Sequence, residues 1–257
     1  MIRTLQISFL IIYALGIAGL MSFIIIKNGD NLVPSTDINI FRETKNGFLD
    51  KDEIMKEMNN FQNLDSIEVK QLKIGKLEKE VLKGPYVQSV DAFTNIDGKL
   101  IVNVSEKIPV VRIFNKKSTG YYLTEDGDIL PLSDNYSARV FVVNGYINIP
   151  LNEGFNNVSD TVYQKTSLEG ILKLCNTLRN NEFLKSQINQ IYLNSKLEFE
   201  LIAEFGNHTI IVGDLNNLDK KLQKLEAFYK QALLEEGIDK YKTINLKFDG
   251  QLVCTKK

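Results

Sequence analysis

An α+β protein tethered by a single N-terminal transmembrane helix is the fold class this sequence predicts. Three observations predict it. Leu5–Ile26 (LQISFLIIYALGIAGLMSFIII) carries no charge. Residues 37–108 read in the order strand, helix, helix, strand, strand. Residues 109–257 read mainly as strands joined by tight turns, with two helices among them, which is the pattern of a mainly antiparallel β domain with helices packed on it.

The apolar run matches the ~20 residues a helix needs to cross the hydrocarbon layer. Arg3 and the α-amino group precede it and Lys27 follows, with Asp30 close behind, so flanking charge favours a cytoplasmic N-terminus only weakly. The bulk of the chain follows with no second span. A cleaved signal peptide is the rival reading. Its apolar region is normally ~7–15 residues and ends in a small-x-small site, whereas this run is longer and ends in Phe23-Ile24-Ile25-Ile26. Ala14, Ala18 and Ser22 recur every fourth residue and share a face that lets another helix approach closely. Ordinary anchor composition gives the same spacing.

Asn28–Thr36 (NGDNLVPST) is a polar spacer rich in turn formers. In DINIF, Ile38 and Ile40 fall on one face of a strand. Asp50 can cap a helix running to about Asn60, with Glu53 three residues on in a capping-box pattern and Ile54, Met55 and Met58 on one face. SIEVKQ is either a strand or an extended link. KIGKLEKEVLK is a second helix that buries Leu77, Val81 and Ile74 and stops at Gly84-Pro85. YVQSVDAF and KLIVNVSE are strands, with Asp97-Gly98 suited to the tight turn between them. Leu100, Val102 and Val104 point one way.

Pro109 has no N–H to give, so the ladder is interrupted there, and VVRIF begins a new strand. GYYLTEDGDILPL is a hairpin about Asp126-Gly127. RVFVVNGYINIP gives a strand and a turn. A helix from about Thr166 to Asn180 carries Leu168, Ile171, Leu172, Cys175 and Leu178 at helical spacing. QINQIYL, LEFELIAEF and HTIIVGD are strands. A further helix lines up Leu218, Leu222, Leu225, Tyr229 and Ala232. KTINLKF and QLVCTKK close the chain about Asp249-Gly250, with Ile244, Leu246 and Phe248 on one face.

Composition narrows the function. The chain has 257 residues, 25% of them charged, and a net charge of -1. That length holds one or two domains. No basic excess points to nucleic acid and no acidic tail to a solvating segment. Cys175 and Cys254 are far apart in sequence and read as a bridge or as two small buried groups. One histidine, His208, and two distant cysteines do not make a zinc site. Phosphate-loop, zincin and nucleophile-elbow motifs are missing. Glu125–Asp128 gathers three carboxylates without the ligand spacing of a calcium loop and reads as a hairpin tip. Glu106 and Arg112 flank Pro109 and read as residues that fix the angle between two domains. The sequence reads as a scaffold that binds and not as an enzyme, with no metal or cofactor.

Several stretches then fall into one order. GPYVQSVDAF…GKLIVNVSEKIPVVRI holds Pro85, Tyr86 and Val87 before one strand and Glu106, Pro109 and Arg112 after the next. GYYLTEDGDILPL begins Gly-Tyr and ends Gly-x-x-x-Pro. INLKFDGQLVC gives a closing strand, turn and strand. Together they resemble the FtsQ (DivIB) family of bacterial division proteins over nearly the whole chain. The resemblance implies a short cytoplasmic tail (1–4), a transmembrane helix (5–26), a linker (27–36), a POTRA-like domain (37–108) and an FtsQ-type β domain (109–257). It implies a single-pass protein of the cytoplasmic membrane, its bulk outside, at the division septum. It also implies partners: FtsB/DivIC- and FtsL-type proteins, with FtsK and FtsW–FtsI as further candidates. The last strand is the expected docking edge, because an unpaired edge offers backbone groups to another strand. Ile244, Lys247, Phe248, Gln251 and Val253 are the expected partner-facing residues, with Phe248 as core the alternative. The chain ends three residues after Cys254 without a tryptophan, so a more extended C-terminal contact is expected to be reduced or moved. Two other classes stand beside this reading. A POTRA-containing assembly or secretion factor normally carries repeats or a β-barrel, and a cell-wall enzyme needs a nucleophile or a metal.

Overall fold

A computed structural model describes residues 11–19, 22, 31–116, 119–149, 156–235 and 237–257. The chain divides into two compact units, Met1–Lys107 and Ile108–Lys257. Residues 11–19 and 22 are helical, and Ala14, Ala18 and Ser22 are all exposed there. Among the described residues no helix is long and apolar enough to cross a membrane. The predicted span, Leu5–Ile26, lies mostly outside the described residues.

In the first unit three strands, β1 (Thr36–Phe41), β2 (Val87–Thr94) and β3 (Leu100–Glu106), form a sheet in the order β1-β3-β2. β1 runs parallel to β3, and β2 antiparallel to it. Strict alternation along β3 sends Leu100, Val102 and Val104 into the core and leaves Ile101, Asn103 and Ser105 on the far face. Helices α1 (Lys51–Phe61) and α2 (Ile74–Val81) supply Ile54, Met58, Leu77 and Val81 to that core, with Ile74 only partly buried. Asp50 caps α1 by accepting from the N–H groups of Asp52 and Glu53. Between the helices SIEVKQ is not a sheet strand. Its two ends fall in 3-10 turns, Leu64–Ser66 and Val69–Gln71, with Ile67 and Glu68 as an extended link between them. Their backbone is satisfied instead by the incoming chain, Val33 N–H to Ile67 O and Val69 N–H to Asn31 O, both at 3.0 Å.

The second unit is a ten-stranded sheet. Its strands are β4 (Pro109–Phe114), β5 (Gly120–Thr124), β6 (Asp128–Pro131), β7 (Phe141–Gly145), β8 (Asn156–Asn157), β9 (Ile188–Leu193), β10 (Phe199–Ala203), β11 (Thr209–Gly213), β12 (Tyr241–Asn245) and β13 (Val253–Lys256). They lie in the order β13-β12-β11-β10-β9-β7-β4-β5-β6-β8. Most neighbours are antiparallel; β11–β12, β7–β9 and β4–β7 are parallel. Pro109 is the first residue of β4, where a missing N–H is tolerated, and the register shifts just after it.

Among the described residues three α-helices, not the expected two, belong to this unit: α3 (Leu168–Arg179), α4 (Glu182–Gln187) and α5 (Leu218–Glu235). The short α4 escapes a periodicity search because it is under two turns long. Asn181 starts it by accepting from Leu184 N–H at 2.9 Å. On α3 the core takes Leu168, Ile171, Leu174, Cys175 and Leu178, while Leu172 is only partly buried. α5 contributes Leu218, Leu222, Leu225 and Tyr229; the side chain of Ala232 lies outside the described residues.

Candidate functional site

β13 ends the ten-stranded sheet, so one side of it has no neighbouring strand among the described residues. The backbone bonding shows which of its groups face that side. Leu246 donates its N–H to Ile211 O at 2.9 Å, so its backbone groups point to β11. Alternation then turns Asn245 towards β13, Ile244 back towards β11 and Thr243 again towards β13. Asn245 is opposite Val253, Ile244 opposite Cys254 and Thr243 opposite Thr255. Val253 and Thr255 are therefore bonded inward, and Cys254 points its N–H and C=O to the open edge. After a bulge between Tyr241 and Thr243, Lys256 does the same. The inward bond of the next residue, Lys257 N–H to Lys240 O at 2.9 Å, agrees with that parity.

Three lysines hold the β12–β13 hairpin in place. Lys224 reaches from α5 to the turn, where its Nζ donates to Phe248 O at 2.8 Å and Gln251 O at 3.3 Å. Lys247 pairs with Glu198, the residue just before β10, two strands from β12, and this bond holds the Glu198 carboxyl below its usual range. Lys257 donates to Gly206 O at 3.2 Å in the β10–β11 turn. Gly213 lets the Lys247 stem pass, because a Cβ there would sit 2.7 Å from Lys247 Cγ, and its φ of +74° suits glycine.

The five expected partner-facing residues separate on this hairpin. Ile244 is fully buried and packs in the core with Leu246. Its side chain therefore faces inward, worth about 1.5–3 kcal/mol of apolar burial. Lys247, Phe248, Gln251 and Val253 are exposed. Phe248 does not extend the buried face of Ile244 and Leu246 and is 45% exposed. The reason is local: β12 stops at Asn245, whose Oδ1 accepts from Lys247 N–H at 3.0 Å and turns the chain.

Glu106 and Arg112 each have work within their own unit. Glu106 Oε2 accepts from Leu49 N–H at 2.9 Å and lies 3.8 Å from Arg42 Nε. Gly47 passes so close that a Cβ would lie 2.3 Å from Glu106 Oε1. Beside this loop Phe48 stacks on Tyr86 with ring centroids 4.7 Å apart. Glu106 thus anchors the 42–49 loop, a role the spacing Glu-x-x-Pro did not suggest. Arg112 lies over the rings of Phe114 and Tyr122, at 4.9 and 5.6 Å, and donates to Ser137 Oγ at 2.8 Å. His208 is buried and shares a 2.6 Å hydrogen bond between Nε2 and Tyr229 Oη. Cys175 and Cys254 are both free thiols.

Sequence reasoning missed Lys224, Glu198 and the outward backbone of Cys254 and Lys256. Lys224 and Phe248 are 24 residues apart with no shared local pattern. The parity of β13 becomes readable only when its partner strand is known.

These features define a class: α+β chains in which a small βααββ unit precedes a wide sheet whose final strand is an open edge. Residues 108–255 match the family described as FtsQ/DivIB, C-terminal related, and the chain belongs to the FtsQ/DivIB family. It is 26% identical over 179 residues to the cell division protein FtsQ of Salinibacter ruber (strain DSM 13855 / M31), an alignment that covers 67% of this chain and 66% of that protein. It is 23% identical over 183 residues to the cell division protein DivIB of Clostridium tetani (strain Massachusetts / E88), covering 71% and 66%. The chain thus spans 66% of the length of either relative.

Proposed function

We propose that this protein is a non-enzymatic, membrane-anchored scaffold of the division machinery. It carries a POTRA-like first domain and holds FtsB/DivIC- and FtsL-type proteins, and it helps recruit and regulate septal peptidoglycan synthesis. The observation that carries the reading is the open edge of β13 in a chain of the FtsQ/DivIB family. Such an edge binds by adding a strand: main-chain bonds supply affinity, and alternate side chains supply selectivity. The uncharged N-terminal run supports anchoring, the N-terminus inside and the bulk outside the cytoplasmic membrane. Glu106, Pro109 and Arg112 then bracket the junction of the two domains, and Ala14, Ala18 and Ser22 form a helix-packing face in the anchor.

Cys254→Pro in the full chain, expressed in its own bacterium, tests the edge. Proline is tolerated on an edge strand where the lost N–H faces outward, so the β12–β13 ladder survives while an outward donor is lost. The expected outcome is a stable protein that no longer recovers its division partners and leaves cells as filaments. Wild-type partner recovery by a folded Cys254→Pro protein would remove this edge from consideration.

A further inference from the structure

The first unit has two ends of different kinds. β1 leaves one end at Thr36 and reaches the other at Phe41, opposite Ser105 of β3. α1 returns to the first end at Phe61, and α2 leaves it again at Ile74. β2 comes back to it at Thr94, and β3 departs from it at Leu100. The turn Asn95–Gly98 therefore lies at the same end as residues 31–35, and the bonding agrees. Leu100 donates its N–H to Ser35 O at 3.1 Å, and Leu32 bridges to Glu68. A Cβ on Gly98 would lie 3.1 Å from Val69 Cγ2 and 3.8 Å from Pro34 Cδ. Glu106 and Lys107, where the chain leaves this unit, are at the opposite end.

The first end presents apolar side chains outward. Ile96, in the turn, is 74% exposed and Leu32 is 56% exposed. Phe61 and Phe93 are exposed at the same end. Single exposed apolar residues need no explanation, but these four gather where the chain enters from its uncharged N-terminal run. Only Lys27–Asp30 separate Ile26 from Asn31. Asn31 is therefore held within roughly 18 Å of Ile26 by any path, at ~3.3–3.6 Å per residue. Val69 N–H bonds Asn31 O and Val33 N–H bonds Ile67 O, both at 3.0 Å, so the tether is fastened to this end. Charge does not set its preference, because Lys70 pairs with Glu68 and Lys99 with Asp37.

Resting on the anchored reading, we propose that this end of the first unit lies on the membrane surface, with Ile96 and Leu32 inserted at the boundary between headgroups and acyl chains. The occupant is lipid because the tether is short. It holds both side chains near the bilayer at an effective concentration that a partner arriving by diffusion does not match. Burying apolar side chains in that boundary layer is favourable. The paired charges around them stay in the headgroup layer. Contact of this kind sets the orientation of the unit on the membrane, which a tether by itself leaves free.

The chain has no tryptophan, so a single introduced one reports its own surroundings. The full chain carrying Ile96→Trp, Leu32→Trp or Phe41→Trp is reconstituted in vesicles of phosphatidylethanolamine and phosphatidylglycerol. Phe41, 58% exposed at the opposite end, is the control. Ile96→Trp and Leu32→Trp are expected to lose about half their emission when the acyl chains carry bromine, because interfacial apolar groups settle ~5–10 Å into the headgroup–acyl boundary. Phe41→Trp should lose little and stay open to quenching by aqueous iodide. A chain that fails to float with the vesicles would sink the anchoring reading and this proposal with it. In a floating chain, Ile96→Trp as open to iodide as Phe41→Trp and unquenched by bromine would overturn this proposal alone. Shielding of Ile96→Trp from iodide without bromine quenching would also overturn it, by assigning this end to contact between protein chains.

Discussion

Two edge strands of this molecule are finished in different ways. β2, at one side of the three-stranded sheet, is guarded from its own helix layer. Glu78 of α2 reaches over and accepts the Ala92 N–H at 2.8 Å, which leaves an incoming strand one fewer donor. β13, at the end of the ten-stranded sheet, has no side chain bonded to its outward groups among the described residues. Its supports all act elsewhere: Lys224 on the turn, Lys247 through Glu198, and Lys257 on the β10–β11 turn. An edge that must not pair is closed by a side chain on its backbone. An edge braced at its turn and ends, with its ladder groups left open, is already ordered, and under the proposed docking role that would lower the cost of binding.

The sharpest way to break this contrast is to remove what lies beneath β12. Ile244 is fully buried between Ile210 of β11 and Cys254 of β13. Ile244→Ala should destabilise the second unit by about 2–5 kcal/mol, the range for a large core deletion. Chemical denaturation of the full chain measures this. A stability change near zero would mean that Ile244 faces outward and that the edge has no core behind it.

Opening the guarded edge is a smaller perturbation. Glu78→Ala leaves the Ala92 N–H without its carboxylate. Loss of a hydrogen bond to a charged group typically costs about 1.5–3 kcal/mol, and partial exposure of Glu78 puts this one at the lower end. Hydrogen exchange at the Ala92 amide should accelerate in the variant, with exchange along β13 unchanged. Unaltered protection at Ala92 would show that Glu78 does not guard β2 and would weaken the contrast between the two edges.

Much of this architecture is legible in the sequence, and the exceptions have physical causes. The alternation in LIVNVSE gives the buried face of β3 directly, and Asp50 announces the start of α1. Heptad-like spacing finds α3 but chooses Leu172 where the core takes Leu174, because α3 buries a broad stripe and both residues border it. SIEVKQ alternates like a strand yet bonds to residues 31–33, a tertiary partner that no local pattern reveals. The family resemblance picks out the last hairpin as the docking region and offers Ile244 as partner-facing, while spacing alone sets Ile244, Leu246 and Phe248 on one face; the core takes Ile244 and leaves Phe248 out. Asn245 decides the second of these by turning the chain two residues early. The lysine braces are the least legible part: each joins groups distant in sequence, and lysine is so common on surfaces that no pattern marks one as a brace.

The smallest effect expected concerns acid, and it sets the two units apart. His208 is the chain's only histidine, and it lies in the second unit, where the last hairpin's end is tied down. Burial is the main cause that lowers its pKa below the ordinary 6.5, the cation of Lys257 adding to this while the Gly206 carbonyl and Asp239 oppose it. Tyr229 Oη takes its Nε2. The folded protein therefore holds the neutral ring, and the unfolded chain takes up the proton more readily. The sign follows from linkage: this contribution is complete above about pH 6.5, the ordinary histidine value, and is lost as pH falls towards the depressed folded value. Lowering the pH from 7.5 to 5.5 (both about, chosen to bracket the free histidine range) should lower the unfolding temperature of the second unit by a few degrees. His208→Gln, which cannot titrate, should remove that histidine-dependent part while the first unit, which has no histidine, is unaffected. An identical pH slope in wild type and His208→Gln would show that acid acts on the open-edge unit through its carboxylates and that His208 contributes packing alone.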